Sequence, residues 1–212
     1  MNTLRNTLLI LTAATAGAFA QQWEVGGNVG GSFLPGVSVT GPMGSATAGF
    51  KPGITGGVWL GQTISRHIGG EIRYNFMQSN LKLASGGTET TFSGNSHAIY
   101  YDILIRTARK ESRASAYLAV GGGMKLFRGT GKEAAYQPLS QFAYLTKTQT
   151  VKPMLSVGGG VKFKLSPHMA LRTEVRDFVT PFPKEVITPA PGAKVGRMLH
   201  NIVPMVGIAY EY

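Results

Sequence analysis

From Trp23 to the last residue, apolar side chains return at every second position in one segment after another, and helical spacing is hard to find. Successive side chains on a strand point to opposite faces, so such a segment reads as a strand with one apolar and one polar face. Trp23, Val25, Val29 and Phe33 share a face, opposite Glu24, Asn28 and several glycines. Gly53 to Gln62 centres on Val58-Trp59-Leu60. Ile72, Tyr74 and Phe76 alternate with Glu71, Arg73 and Asn75; Ile99, Tyr101, Ile103 and Ile105 alternate with Tyr100, Asp102, Leu104 and Arg106. Ala114 to Phe127 passes through Gly121-Gly122-Gly123. Val151 to Leu165 passes through Gly158-Gly159-Gly160 and sets Val157, Val161, Phe163 and Leu165 against Lys162 and Lys164. Leu171, Thr173 and Val175 oppose Arg172, Glu174 and Arg176. A last segment runs from about Met198 to the end, with Ile202, Val206, Ile208, Tyr210 and Tyr212 on one face.

The connections between these eight segments alternate in length. Short ones fall near Thr63–His67, Ala108–Arg113 and Ser166–His168; long ones cover about 35–52, 79–94, 128–150 and 180–197 and are rich in Pro, Gly, Ser and Thr. Short turns at one end and long loops at the other suit strands that run up and down through a membrane. Glycine makes up 29 of 212 residues, about twice the usual ~7% share. Within strands it marks bends or places where another backbone comes close. No linker divides residues 21–212, which read as one domain. Residues 1–20 read as a secretory signal peptide, with Arg5, the apolar Leu8-Leu9-Ile10-Leu11 and an Ala18-Phe19-Ala20 cleavage site. No later stretch has the 18 consecutive apolar residues of a spanning helix, and with no cysteine the fold holds without disulfides.

Alternation alone leaves two assignments of the faces. A soluble sandwich buries the apolar face and wets the polar one. A transmembrane barrel turns the apolar face to lipid and encloses the polar one, because in hydrocarbon a sheet must close on itself to satisfy its backbone. Three features favour the second. Both signs of charge occur on the face holding Glu71, Arg73, Asp102, Arg106, Arg172, Glu174 and Arg176, so these residues are expected to pair across a narrow lumen. Trp23, Tyr74, Phe76, Tyr101, Phe127, Phe163, Phe178, Tyr210 and Tyr212 lie toward strand ends, as interfacial girdles do. The chain also ends on an alternating strand, Val206, Ile208, Tyr210 and Tyr212, whose last residue is aromatic. The expected fold is all-β, an antiparallel up-and-down transmembrane β-barrel of eight strands with four long outer loops and short inner turns. Gln141 to Thr148 alternates weakly and either extends a hairpin above the membrane or joins an extra pair, in which case ten strands also fit.

In its terminal strand, its size and its turn pattern the chain resembles the small bacterial outer-membrane β-barrel proteins of the OmpA/OmpX type, the outer membrane protein β-barrel domain class. The resemblance implies residence in the cell outer membrane among lipid and lipopolysaccharide. It also implies that the barrel assembly machinery reads Val206, Ile208, Tyr210 and Tyr212 as its signal.

Lys and Arg outnumber acids 21 to 10, a formal +11 that becomes +10 once Arg5 is removed. In an exported protein such a balance points away from nucleic acid and toward an anionic surface, and lipopolysaccharide phosphates fit. Lys132, Lys147, Lys184, Lys194 and Arg197, in or beside the third and fourth long loops, are the expected contacts, with Arg128 at the base of the third. No catalytic, metal or cofactor constellation is legible. Gly129-Thr130-Gly131-Lys132 is followed by Glu133, unlike a phosphate loop. His67, His97, His168 and His200 lack ligand spacing. Ser96, His97 and Asp102 fail as a triad, since Ser96 and His97 point to opposite faces, as do His97 and Asp102. The reading is a non-enzymatic structural or interaction barrel presenting mobile basic loops. A narrow porin-like channel and a lipid-A-modifying barrel enzyme are the alternatives, separable by conductance and by acyl-chain analysis of lipopolysaccharide.

Overall fold

The computed structural model describes residues 22–107, 113–134 and 136–212. The expected signal peptide and most of the Ala108–Arg113 turn lie outside them. Eight long strands form the body: β1 (Trp23–Ser32), β2 (Gly53–Thr63), β3 (Ile68–Gln78), β4 (Gly94–Arg106), β5 (Ala114–Gly129), β6 (Gln149–Lys164), β7 (Met169–Pro181) and β8 (Ile202–Glu211). Each pairs antiparallel with the next, and β1 pairs with β8, so the sheet closes with no free edge.

Closure fixes the tilt. From Gly30 the register runs one way through Thr55, Met77, Ser96 and Phe127 to Thr150. The other way it runs through Met205 and Glu174 to Gly160. The two ends of this circuit lie ten residues apart on β6. A staggered closure of this kind inclines every strand to the barrel axis and sets the diameter of an interior that side chains can fill.

The apolar face points out, with Val25, Val58, Ile72, Ile103, Leu118, Val157 and Val206 all exposed. Phe127 and Phe178 depart from the expected aromatic girdle: both are fully buried inside the barrel. Their positions share strand parity with Lys125 and Arg176, which the outward aromatics do not. Gln141 to Thr148 adds no barrel strand; within it Ala143–Leu145 pairs with Ile187–Pro189 above the barrel.

The sequence reading expects mobile outer loops; the structure packs them into one cap. Short strands from three loops form a five-stranded sheet in the order Lys194–Val195, Val37–Gly41, Gly44–Phe50, Leu81–Ser85 and Thr88–Phe92. The hairpin of the last two closes through Gly86 and Gly87, both at positive φ (55° and 82°), the backbone that a two-residue hairpin turn requires. Under this sheet Val39, Ala48, Leu81 and Leu83 are fully buried and meet Phe142, Leu145, Val186, Ile187 and Leu199 from the other loops. Burying one such leucine is worth about 1.5–3 kcal/mol. Phe127, at the top of β5, joins the same cluster and stacks on Phe50 at 5.4 Å, which ties the cap to the barrel wall.

Candidate functional site

The lumen is filled in layers, and glycine placement makes the lowest one possible. In the register Asp102 stands opposite Gly121, Arg176 opposite Gly158, Glu174 opposite Gly160 and Arg172 opposite Gly207. A Cβ on Gly121 would lie 2.4 Å from Asp102 Oδ1, and one on Gly158 would lie 2.6 Å from Arg176 Cδ. Long charged side chains from one strand thus lie over bare backbone on the next.

The inner half of the lumen is one ion-pair network. Arg73 donates to Glu71 (2.8 Å) and with both terminal nitrogens to Glu174 (3.0 and 2.5 Å). Arg176 donates to Glu71 (2.9 Å), to Glu174 (3.0 Å) and to Asp102. Arg172 donates to Glu24 (2.9 Å) and Glu71 (2.8 Å), and its other terminal nitrogen to the Tyr117 hydroxyl (3.0 Å). That hydroxyl in turn donates to Glu174 (2.8 Å). Lys162 closes the inner end between Glu24 and Glu211, and Trp59 Nε1 donates to Glu24 (2.8 Å) beneath the Arg73 and Arg172 guanidiniums. Buried ions are tolerable in this way because each charge meets opposite charge and directed hydrogen bonds.

Above the network lies a neutral layer. The Tyr100 hydroxyl donates to Asn75 Oδ1 (2.9 Å), whose Nδ2 donates to Asn28 Oδ1 (2.9 Å). Met77, Ala98, Tyr100, Met154, Phe178, Val203 and Met205 pack around them. Lys125 is fully buried here with no hydrogen-bond partner for its Nζ among the described residues; Nζ lies over the Phe127 ring at 5.0 Å and the Phe178 ring at 5.9 Å. The core of the cap follows directly above.

Of the seven charged residues expected in the lumen, Glu71, Arg73, Asp102, Arg172, Glu174 and Arg176 meet in this network. Arg106 does not, and its expected place is corrected. It stands half-exposed at the inner end of β4 and donates to Thr63 Oγ1 (3.1 Å), because the strand ends there and the side chain has reached the rim. Glu24, Lys162, Glu211, Tyr117 and Trp59 complete the network unanticipated, although Glu24 and Lys162 carry the polar-face parity that marks them. Ser96 points inward to Ser79 (2.9 Å), while His97 points outward, hydrogen-bonded through Nδ1 to the Tyr74 hydroxyl (2.8 Å).

Val206, Ile208, Tyr210 and Tyr212 lie exposed on the outward face, with the Tyr210 and Tyr212 rings edge to face at 4.9 Å. Lys132, Lys147, Lys184, Lys194 and Arg197 are all exposed around the cap. Beside them Lys152 donates to Glu185 (2.7 Å), and that hydrogen bond holds the Glu185 carboxyl below its ordinary pKa.

A closed sheet with an apolar exterior and a charge-filled interior defines a transmembrane β-barrel. Residues 7–184 match the family described as outer membrane protein beta-barrel domain, and the chain belongs to that family. No curated protein matches it. Among solved structures it is similar to Neisserial surface protein A (NspA), at 12% identity over 90% of this chain and 97% of that one, with a TM-score of 0.57. It is also similar to a major outer membrane protein from Thermus thermophilus, at 13% identity over 91% and 99%, TM-score 0.54. The outer membrane protein AlkL is similar at 14% identity over 90% of each chain, TM-score 0.53. At these identities the likeness shows the fold, and with the family it places the protein in the outer membrane.

Proposed function

We propose that the protein is a sealed structural and interaction barrel, which spans the outer membrane in order to hold a folded basic surface outside the cell. One observation carries this reading: the lumen is crossed by a paired charge network, an aromatic and methionine layer and the apolar core of the cap in succession. Such stacking opposes a hydrated path and so counts against the narrow channel. Ser96, His97 and Asp102, the nearest approach to a nucleophilic set, lie on different faces of β4, which counts against a lipid-modifying enzyme.

Two partner assignments belong to the same proposal. Lys132, Lys147, Lys184, Lys194 and Arg197 offer cations to the phosphates of lipopolysaccharide, and the β8 residues Val206, Ile208, Tyr210 and Tyr212 offer the barrel assembly machinery its recognition strand. Planar-bilayer recording of the refolded protein tests the sealed lumen. A baseline without current steps is expected, and a reproducible unitary conductance overturns the proposal in favour of the channel.

A further inference from the structure

The outward face of β3 to β6 changes character over a single row. The register aligns Ile72, Tyr101, Gly122 and Leu155 in one outward row, and Phe76, His97, Leu126 and Val151 in a row nearer the cap. The next outward row is Gln78, Asn95, Arg128 and Gln149. It holds three carboxamides, one guanidinium and no acid. Gln78, Arg128 and Gln149 are exposed, and Asn95 is half-buried with an Oδ1 that is out of contact with solvent and accepts no hydrogen bond among the described residues.

The apolar rows below fix the depth. Along each of these strands the outward side chains turn from apolar to polar at this row, so each of the four stands where its own strand passes from hydrocarbon to the lipid headgroups, and the row climbs with the strand tilt. Aromatic residues mark that boundary in outer-membrane barrels, and the Tyr74–His97–Phe76 group lies there, with the Phe76 and His97 rings edge to face at 5.4 Å. A planar guanidinium grips a phosphate through two parallel hydrogen bonds. Flanking carboxamides both donate and accept, as sugar hydroxyls require, and the unmet Asn95 oxygen calls for a donor. A phosphate beside a hydroxylated ring, anchored in the outer leaflet, satisfies all of these at once.

We propose that Gln78, Asn95, Arg128 and Gln149 form a binding site on the barrel wall for the phosphorylated sugar headgroup of an outer-leaflet glycolipid. It rests on the glycolipid reading above and narrows it from the cap surface to one row at the membrane boundary. Arg128 grips the phosphate, and the acyl chains lie down the apolar rows beneath.

Native mass spectrometry of the full barrel in detergent, titrated with bisphosphorylated lipid A, tests this, with the heat-shifted gel band as the check that each variant is folded. The wild type is expected to retain one lipid A, and Arg128→Ala to weaken that binding about tenfold or more, as loss of a charge-assisted pair implies. Arg128→Lys should recover only part, since an ammonium lacks the fork. Unchanged binding by a folded Arg128→Ala overturns the site. So does equal retention of dephosphorylated lipid A or of phosphatidylglycerol, or displacement by millimolar inorganic phosphate. A lysine set (Lys132, Lys147, Lys184, Lys194 and Arg197 all to Gln) separates the two proposals. If that set loses binding while Arg128→Ala keeps it, the row is refuted and the cap reading stands; if the wild type retains no lipid A, both fail.

Discussion

Replacing Arg176 by methionine keeps an unbranched stem and removes the guanidinium and its charge, so the outcome follows from its partners. Arg176 has no exposure and donates to three carboxylates, Glu71, Glu174 and Asp102. Glu71 and Glu174 keep Arg73, and Glu71 keeps Arg172, at 3.0 Å or less. Asp102 keeps no ion pair, because Arg176 is its one cationic partner among the described residues. Its other oxygen, Oδ1, has no hydrogen-bond partner among the described residues either. Leaving one buried carboxylate without a counter-charge costs about 3–5 kcal/mol, and the expected loss in Arg176→Met lies in that range. Adding Asp102→Asn removes the stranded charge, so the double variant should be more stable than Arg176→Met alone by at least about 1 kcal/mol, the coupling expected of contacting residues. The assay is equilibrium urea unfolding of the lipid-reconstituted barrel, followed by tryptophan fluorescence. A loss under about 1 kcal/mol in Arg176→Met, or no recovery on adding Asp102→Asn, refutes the reasoning that paired charge holds the lumen together.

In the cap, Leu83→Ala should cost about 2–5 kcal/mol at a fully buried site. Because that loss falls on the cap, limited proteolysis should cut the outer loops while the heat-shifted barrel band persists; loss of both together contradicts a cap distinct from the barrel. The Lys152–Glu185 pair ties the outer end of β6 to the fourth loop. Since hydrogen bonding to Lys152 lowers the Glu185 pKa, its small contribution is present above the ordinary carboxylate range and is lost as pH falls through the lowered value. Loop cleavage by an acid-active protease should therefore rise only in that acid range, and Glu185→Gln should abolish the pH dependence.

Barrel and cap differ in how legible they are in sequence. A barrel strand carries its own signature: Ile99, Tyr101, Ile103 and Ile105 against Tyr100, Asp102 and Leu104 declare two faces without reference to any partner. The same parity places six of the seven expected charges in one network, and it fails at Arg106, where the strand stops and position no longer dictates environment. Glu24 and Lys162 bear the signal, but Glu24 stands among glycines with no second charge on its strand face, and Lys162 has only the like-charged Lys164 beside it, so neither strand shows a pair of opposite charges. Aromatic identity alone assigns Phe127 and Phe178 to the girdle, whereas their even spacing from Lys125 and Arg176 places them on the inward face where the structure has them. The cap leaves almost no local trace. Val37–Gly41 and Leu81–Ser85 are five residues each, too short for alternation to stand out, and each has a partner in another loop far away in the chain, Lys194–Val195 and Gly44–Phe50 respectively.

Amide hydrogen exchange of the reconstituted protein reads directly whether the outer end is one folded unit on a sealed barrel. Amides of Val37–Gly41, Gly44–Phe50 and Leu81–Ser85 should exchange orders of magnitude more slowly than an unstructured chain, with protection falling together in Leu83→Ala. Exchange in these segments at the rate of free loops, beside full protection of β1 to β8, would contradict a folded outer end.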